Sequence, residues 1–189
     1  MNSKKTKIIL GIDPGTNILG FGIIKLENNK MKLLEHNVLL LNKIKDYDLR
    51  LKNIYDKINL IIQKFNIDEV AIEAPFYGKN IQSMLKLGRA QGVAIIASIN
   101  NNKKVFEYAP RKIKLSVTGS GNSSKNQVAS MLINMLKIKQ PSSHFDATDG
   151  LAVAVCHALQ NNLSTTKQVK KSKNINWSEF VRKNPDRLT

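Results

Sequence analysis

The sequence predicts an α/β domain, a mixed five-stranded sheet of three antiparallel strands followed by parallel ones, flanked by helices. Three observations predict it. Apolar runs at 7–13 and 67–73 have the length of strands and end in Asp13-Pro14-Gly15 and Glu73-Ala74-Pro75. From residue 48 onward, other segments repeat apolar residues at three- and four-residue steps, the stripe of an amphipathic helix. The resulting order, β-β-β-α-β-α-β-α-α, describes a sheet with helices packed against it.

The first strand, 7–13, is continuously apolar and therefore central, and Asp-Pro-Gly turns the chain after it. Residues 19–26 alternate weakly and break at Glu27-Asn28-Asn29-Lys30, a hairpin loop, so 31–41 returns as a third strand antiparallel to the second. Leu51, Ile54, Ile58, Ile61 and Phe65 then mark one face of a helix. A fourth strand at 67–73 is closed by Pro75. Residues 80–100 read as a long helix whose second half, 92–99, is apolar all round and needs cover on more than one side. Gly88 and Gly92 share a face there; a central helix within one subunit and a two-fold dimer seam explain it equally well. Residues 105–108 form the fifth strand. Val128, Met131, Leu132 and Met135 set a helix over 125–136, and a final helix covers 146–159.

A chain of 189 residues, 42% hydrophobic, is long enough to bury a substantial core. With 30 Lys+Arg against 14 Asp+Glu its net charge is +16, which favours a phosphate-backbone partner over an acidic membrane surface. No stretch approaches the ~18 apolar residues of a membrane span, and the apolar run behind the basic first residues is too short for a signal peptide. The single cysteine, Cys156, has no internal disulfide partner and sits in an apolar run, so a reduced thiol and a cytoplasmic location are expected. Beyond residue 160 the composition turns polar. Residues 161–189 hold seven Lys and Arg against Glu179 and Asp186, so most of the positive charge belongs to 1–160. The expected organisation is one domain over 1–160 and a flexible basic tail over 161–189.

Against this basic background four acids stand at the ends of apolar runs: Asp13, Glu73, Asp146 and Asp149. An ionised carboxylate in a poorly hydrated place is costly unless a cation or strong donors balance it. If the first and fourth strands are parallel neighbours, Asp13 and Glu73 leave the sheet at one carboxyl edge. Asp146 and Asp149, spaced i, i+3, share a face in the first turn of the last helix. Taken singly three have a plainer reading: Asp13 as a turn residue, Glu73 as a strand-end acid paired with a lysine, Asp146 as a helix N-cap. Asp149, at the fourth position of a helix, is less easily dismissed. Taken together they form an oxygen cage for Mg²⁺ or Mn²⁺ in a basic protein, the pattern of a metal-dependent nuclease.

The same segments resemble the RuvC family of bacterial Holliday junction resolvases, within the ribonuclease H-like superfamily. Carrying the resemblance are Gly11-Ile12-Asp13-Pro14-Gly15-Thr16 with Gly20-Phe21-Gly22, Glu73 with Phe76, and Leu85-Lys86-Leu87-Gly88-Arg89-Ala90-Gln91-Gly92-Val93-Ala94. Phe106-Glu107-Tyr108-Ala109-Pro110-Arg111, Val117-Thr118-Gly119-Ser120-Gly121, Lys125-Asn126-Gln127-Val128 and Asp146-Ala147-Thr148-Asp149-Gly150-Leu151-Ala152-Val153-Ala154 follow in the family's order.

The resemblance implies a ribonuclease H-like sheet and a crossover junction endodeoxyribonuclease. Such an enzyme nicks two strands of like polarity symmetrically and leaves 5′-phosphate and 3′-hydroxyl ends. It implies Asp13, Glu73, Asp146 and Asp149 as the catalytic acids around two Mg²⁺ ions per active site, with Mn²⁺ able to substitute. Lys114 and Lys125 become catalytic cations beside the scissile phosphate; without the resemblance each is a solvated surface charge. Phe76 becomes the aromatic that contacts junction bases, and Tyr77, Lys79, Arg89 and Arg111 complete the expected DNA-binding set. Aromatics in a basic loop suit base stacking, the alternative being rings folded back onto the core. The implied partners are four-way junction DNA, a second copy in a homodimer, and the RuvA–RuvB branch-migration complex. Two details depart from the family: Ala74-Pro75 separates Glu73 from Phe76, and Gly150 replaces a usual Ala, which weakens the helix start.

Rival readings are a noncatalytic junction-binding protein that uses only the basic surface, and a general ribonuclease H-like nuclease. Gly11-Ile12-Asp13-Pro14-Gly15-Thr16 also resembles the phosphate loop of actin-like ATPases, but this chain lacks the length for their second domain.

Overall fold

The computed structural model describes residues 6–75, 80–138 and 145–166. Phe76, Tyr77, Lys79 and the tail beyond 166 lie outside the described residues, as does His144.

Strands β1 (Thr6–Asp13), β2 (Ile18–Glu27) and β3 (Lys30–Leu40) form an antiparallel meander. Helix α1 (Tyr47–Phe65) leads to β4 (Glu69–Glu73), α2 (Ile81–Asn100) to β5 (Lys104–Tyr108), and both of these strands run parallel to β1. The five-stranded sheet therefore has the order β3-β2-β1-β4-β5, with the antiparallel and parallel halves the sequence predicts. Three more helices follow among the described residues: α3 (Pro110–Thr118), α4 (Lys125–Leu136) and α5 (Phe145–Thr166).

Because successive side chains of a strand point to opposite faces, β1 feeds two cores. Leu10 and Ile12 join Ile54, Ile58 and Ile61 of α1 and Ala90, Ala94 and Ala97 of α2 on one face. Ile9 joins Ile113, Val117, Val128, Leu132, Leu151 and Val155 under α3, α4 and α5 on the other. Local chemistry sets the ends. Asp46 caps α1 by accepting from the backbone N–H groups of Asp48 and Leu49 at 2.8 and 3.2 Å. Ser124 and Gln127 form a reciprocal capping box at the start of α4.

Two features differ from the sequence expectation, in α3 and α5, and one bears on the cover that α2 needs. Helix α3 was not anticipated: it is nine residues long, five of them polar or charged, and only Ile113 and Val117 are buried, too short a stripe to read as periodicity. Pro110 at its first turn, where a missing N–H costs nothing, is the signal that was present. Helix α5 begins at Phe145, so Asp146 lies inside the first turn and is not its N-cap, and it continues to Thr166, past the composition change at 160. Helix α2 is covered on one side only among the described residues. Ala90, Ala94 and Ala97 are buried, whereas Leu85, Ile96 and Ile99 are more than half exposed.

Glycines decide how α5 lies on the sheet. A Cβ on Gly20 of β2 would stand 1.8 Å from the carbonyl oxygen of Asp146, and one on Gly150 would stand 2.5 Å from the Cα of Phe21. Helix and strand thus touch backbone to backbone. Gly150, which weakens the helix by intrinsic propensity, is here a packing residue. Replacing Gly20 by Ala forces α5 off the sheet; unfolding in urea should show a loss of about 2–3 kcal/mol, and an unchanged midpoint would contradict the contact.

Candidate metal centre and active site

The register of β1 with β4 runs from Ile9↔Glu69 to Ile12↔Ile72, so the next residues, Asp13 and Glu73, end side by side at one edge of the sheet. The turn after Asp13 is held from α1. Arg50 donates to the carbonyl of Thr16 at 3.1 Å, to Asn17 Oδ1 at 2.7 Å and to the carbonyl of Ile44 at 2.6 Å. On the other strand of the hairpin Asp13 pairs with Gly20, the residue pressed against the Asp146 carbonyl. This alignment brings the first turn of α5 over the end of β1.

Carboxylate oxygens of Asp13, Asp146 and Asp149 accordingly lie within 4.8 Å of one another, each half-buried. Glu73 stands on the wall of the same hollow, about 220 Å³ in volume, with Asp13, Asp149, Lys114, Lys125, Pro110, Ile113, Val128 and Ala152. Lys114 comes from the unanticipated α3. Lys125 is the first residue of α4, fixed by the Ser124 cap, and its Nζ donates to Asp149 Oδ2 at 2.6 Å. On the far side of Asp13 and Glu73 a second hollow is lined by Pro14, Ala74, Pro75 and Leu87. In the sequence Pro14 and Leu87 stand only inside longer motifs and not as site residues, because an apolar residue bordering a site has no pattern of its own.

The charges crowd. Burial, then Glu73, Asp149 and Asp146, holds the Asp13 carboxyl well above its ordinary value, with Lys125 pulling the other way. Burial and then Asp149 push Glu73 up to about 7, against Lys125 and Lys114. The hydrogen bond to Asp149 raises the Lys125 ammonium despite burial. An oxygen-only donor set whose members repel one another fits a hard divalent cation, since thiolate or imidazole would mark a softer metal.

The other expected residues spread out. Arg111 is exposed at the start of α3, its side chain folded over Gly121. Arg89 is exposed on α2 with its guanidinium 5.9 Å from the Tyr47 ring centre, in the α1–α2 groove and not in the carboxylate hollow. The loop from Thr118 to Asn122 uses its own donors: the N–H of Ser120 bonds Thr118 Oγ1 at 3.2 Å, that of Asn122 bonds Ser120 Oγ at 3.4 Å, and that of Gly119 bonds the Leu115 carbonyl.

Comparison with known proteins gives the chain's relatives. The family described as "Crossover junction endodeoxyribonuclease RuvC" matches residues 9–157. A protein of that name from Cytophaga hutchinsonii is 51% identical, the match covering 99% of this chain and 92% of the relative. Its counterpart from Porphyromonas gingivalis is 47% identical over 98% and 99% of the two chains. Among solved structures, Thermus thermophilus RuvC in complex with Holliday junction substrate superposes with a TM-score of 0.78 at 27% identity, covering 84% of this chain and 97% of that one. A yeast mitochondrial Holliday junction resolvase, 16% identical with a TM-score of 0.57, shares the fold.

The raised Glu73 gives a signed prediction for metal-free protein. Between the ordinary value of 4.5 and about 7 the folded state binds more protons than the unfolded state, so stability falls as pH rises through this window. In EDTA, Glu73→Gln should therefore gain roughly 2 kcal/mol over wild type at pH 8, and almost nothing at pH 4. Equal differences at the two pH values in chemical denaturation would contradict the crowding.

Proposed function

The chain belongs to the RuvC family of crossover junction endodeoxyribonucleases, and from that premise we propose that it resolves four-way DNA junctions in recombination and repair by metal-dependent nicking at the Asp13–Glu73–Asp146–Asp149 centre. The observation that carries this reading is the convergence of acids from β1, β4 and α5 with two lysines in one hollow. A noncatalytic binder that used only its basic surface would gain nothing from four mutually repelling carboxylates.

The four acids hold the metal, read as two Mg²⁺ ions with Mn²⁺ able to substitute. When bound, the metal supplies acidification of the attacking water and neutralisation of charge on the phosphate and leaving oxygen. The chain's own residues do the rest. The β1–β4 register sets the strand-end acids side by side, and the glycine contact brings the first turn of α5, with its acids, close down onto the sheet. Lys114 and Lys125 offer ammonium groups to the phosphate oxygens, countering the negative charge that grows in the transition state. The water oxygen bonds to phosphorus as the bond to the 3′ oxygen breaks, leaving a 5′-phosphate and a 3′-hydroxyl.

A homodimer supplies the second active site that symmetric nicking needs. Supporting it is the open face of α2: Leu85, Ile96 and Ile99 are exposed, and a Cβ at Gly88 or Gly92 would meet nothing within 4 Å among the described residues. Phe76, Tyr77, Lys79, Arg89 and Arg111 complete the proposed DNA-binding set. The family resemblance extends the proposal to RuvA–RuvB as partner. The composition extends it to a nuclease domain over 1–160 and a basic tail over 161–189, with α5 running a few residues past that boundary to Thr166. Among the described residues no helix is long and apolar enough to cross a membrane, and Cys156 is a buried free thiol, which supports a cytoplasmic setting.

Incubated with Mg²⁺, a synthetic four-way junction should receive paired nicks on two strands of like polarity, while linear duplex and RNA–DNA hybrid stay intact. Asp149→Asn should reduce cleavage by about 10³-fold or more with junction affinity within a few-fold of wild type. Unpaired nicks would exclude the two-site reading, and a variant that cuts at near-normal rate would exclude the acid assignment.

A further inference from the structure

Below the acids, α5 carries a polar side chain that the proposed chemistry does not use. His157 is 1% exposed. Its Nδ1 lies 2.6 Å from the Tyr108 hydroxyl, its Nε2 lies 3.0 Å from Glu69 Oε2, and its ring lies against Phe106 with centroids 4.4 Å apart. Glu69 is in turn ion-paired with Lys7. One hydrogen-bonded line thus runs from the start of β1 through the start of β4 and across α5 to the end of β5.

The protons on this line are determined by its members. Burial alone would raise the Glu69 carboxyl, but hydrogen bonds from Lys7 and His157 hold it below its ordinary value, so it accepts. Burial, then Cys156 and Glu69, push the Tyr108 hydroxyl up to about 12, so it donates. Burial also lowers His157, which is therefore neutral, with Nε2–H facing Glu69 and Nδ1 accepting from Tyr108.

The two ends of the line matter for the acids. Tyr108 is the register partner of Glu73, and its carbonyl accepts the N–H of Ala74 at 2.9 Å. Asp149 lies eight residues before His157 on the same helix, about 12 Å along its axis. Other polar contacts of α5 go to neighbouring helices, from Cys156 and Gln160 to Ser116 of α3 and from Lys125 of α4 to Asp149. Ala147, Leu151, Ala154, Val155 and Ala158, by contrast, make apolar, non-directional contacts. Such packing fixes the spacing of a helix from a sheet but resists a slide along it weakly, whereas hydrogen bonds have direction.

We propose that His157 is a positioning residue for the metal centre: by bonding Tyr108 and Glu69 together it sets where α5 stops along the sheet, and so the separation of Asp146 and Asp149 from Asp13 and Glu73. The inference rests on the metal-dependent reading above. A displacement of about 1 Å at such a centre lowers turnover by about a hundredfold without touching substrate affinity.

The test uses full-length His157→Phe, which keeps a ring of similar size, Tyr108→Phe, which removes one hydroxyl, and His157→Gln, which keeps one donor and one acceptor. Junction affinity is measured in EDTA, cleavage under single turnover, and Mg²⁺ binding by the Mg²⁺ concentration at half of the thermal shift. In His157→Phe and Tyr108→Phe that midpoint should rise about tenfold and cleavage fall about 10- to 100-fold, with junction affinity within twofold of wild type. His157→Gln should return both values to within about threefold. If His157→Phe does not fold, Tyr108→Phe decides alone. A wild-type Mg²⁺ midpoint and cleavage rate in the folded variants, whatever their melting temperature, overturns the inference and leaves the metal-dependent reading standing. A wild type that neither cleaves nor shifts with Mg²⁺ removes that reading, and the inference with it.

Discussion

Everything at this centre depends on the backbone of one helix lying against the backbone of two strands. Side chains normally hold a helix about 10 Å from a sheet. Here Gly11, Gly20 and Gly22 on the strands and Gly150 on α5 remove that spacer, and the added Cβ atoms would fall 1.8 to 2.5 Å from main-chain atoms. The contact costs conformational entropy at each glycine. Its return is a short distance between the first turn of α5 and the end of β1, where two strand-end acids already stand.

Convergence creates an electrostatic problem that the chain's own side chains only partly solve. Asp13 and Glu73 are held above their ordinary values by burial and by their acidic neighbours, so in the absence of metal the site opposes folding at neutral pH. Lys125 offsets part of this through its 2.6 Å bond to Asp149, with its own side chain anchored by a capped helix start. A site that is strained when empty and relieved by a divalent ion couples metal binding to stability. The same repulsion that costs stability supplies affinity for the ion.

Much of this was legible in the residues. The runs ending in Asp13 and Glu73, the i, i+3 pair at 146 and 149, and the change of period at 48 each follow from chain geometry, and the five strands along the chain, the parallel β1–β4 pair and four of the described helices match them. Helix α3 was not legible, because two buried residues do not make a period, and with it went any geometric reason to place Lys114 beside the acids. The role of Gly150 also inverted: propensity describes an isolated helix, whereas its neighbour here is the Phe21 backbone. The contacts of His157 leave no trace in the sequence for a related reason. Its partners Tyr108 and Glu69 lie 49 and 88 residues away, and no local pattern reports them.

The most direct measurement is to locate the ions: crystals of the protein grown with Mn²⁺, and the anomalous scattering of manganese mapped at its absorption edge. The account predicts density enclosed by the carboxylates of Asp13, Glu73, Asp146 and Asp149, with Lys125 drawn away from Asp149. Manganese bound elsewhere, or held by the α5 acids alone with Asp13 and Glu73 turned aside, would contradict it.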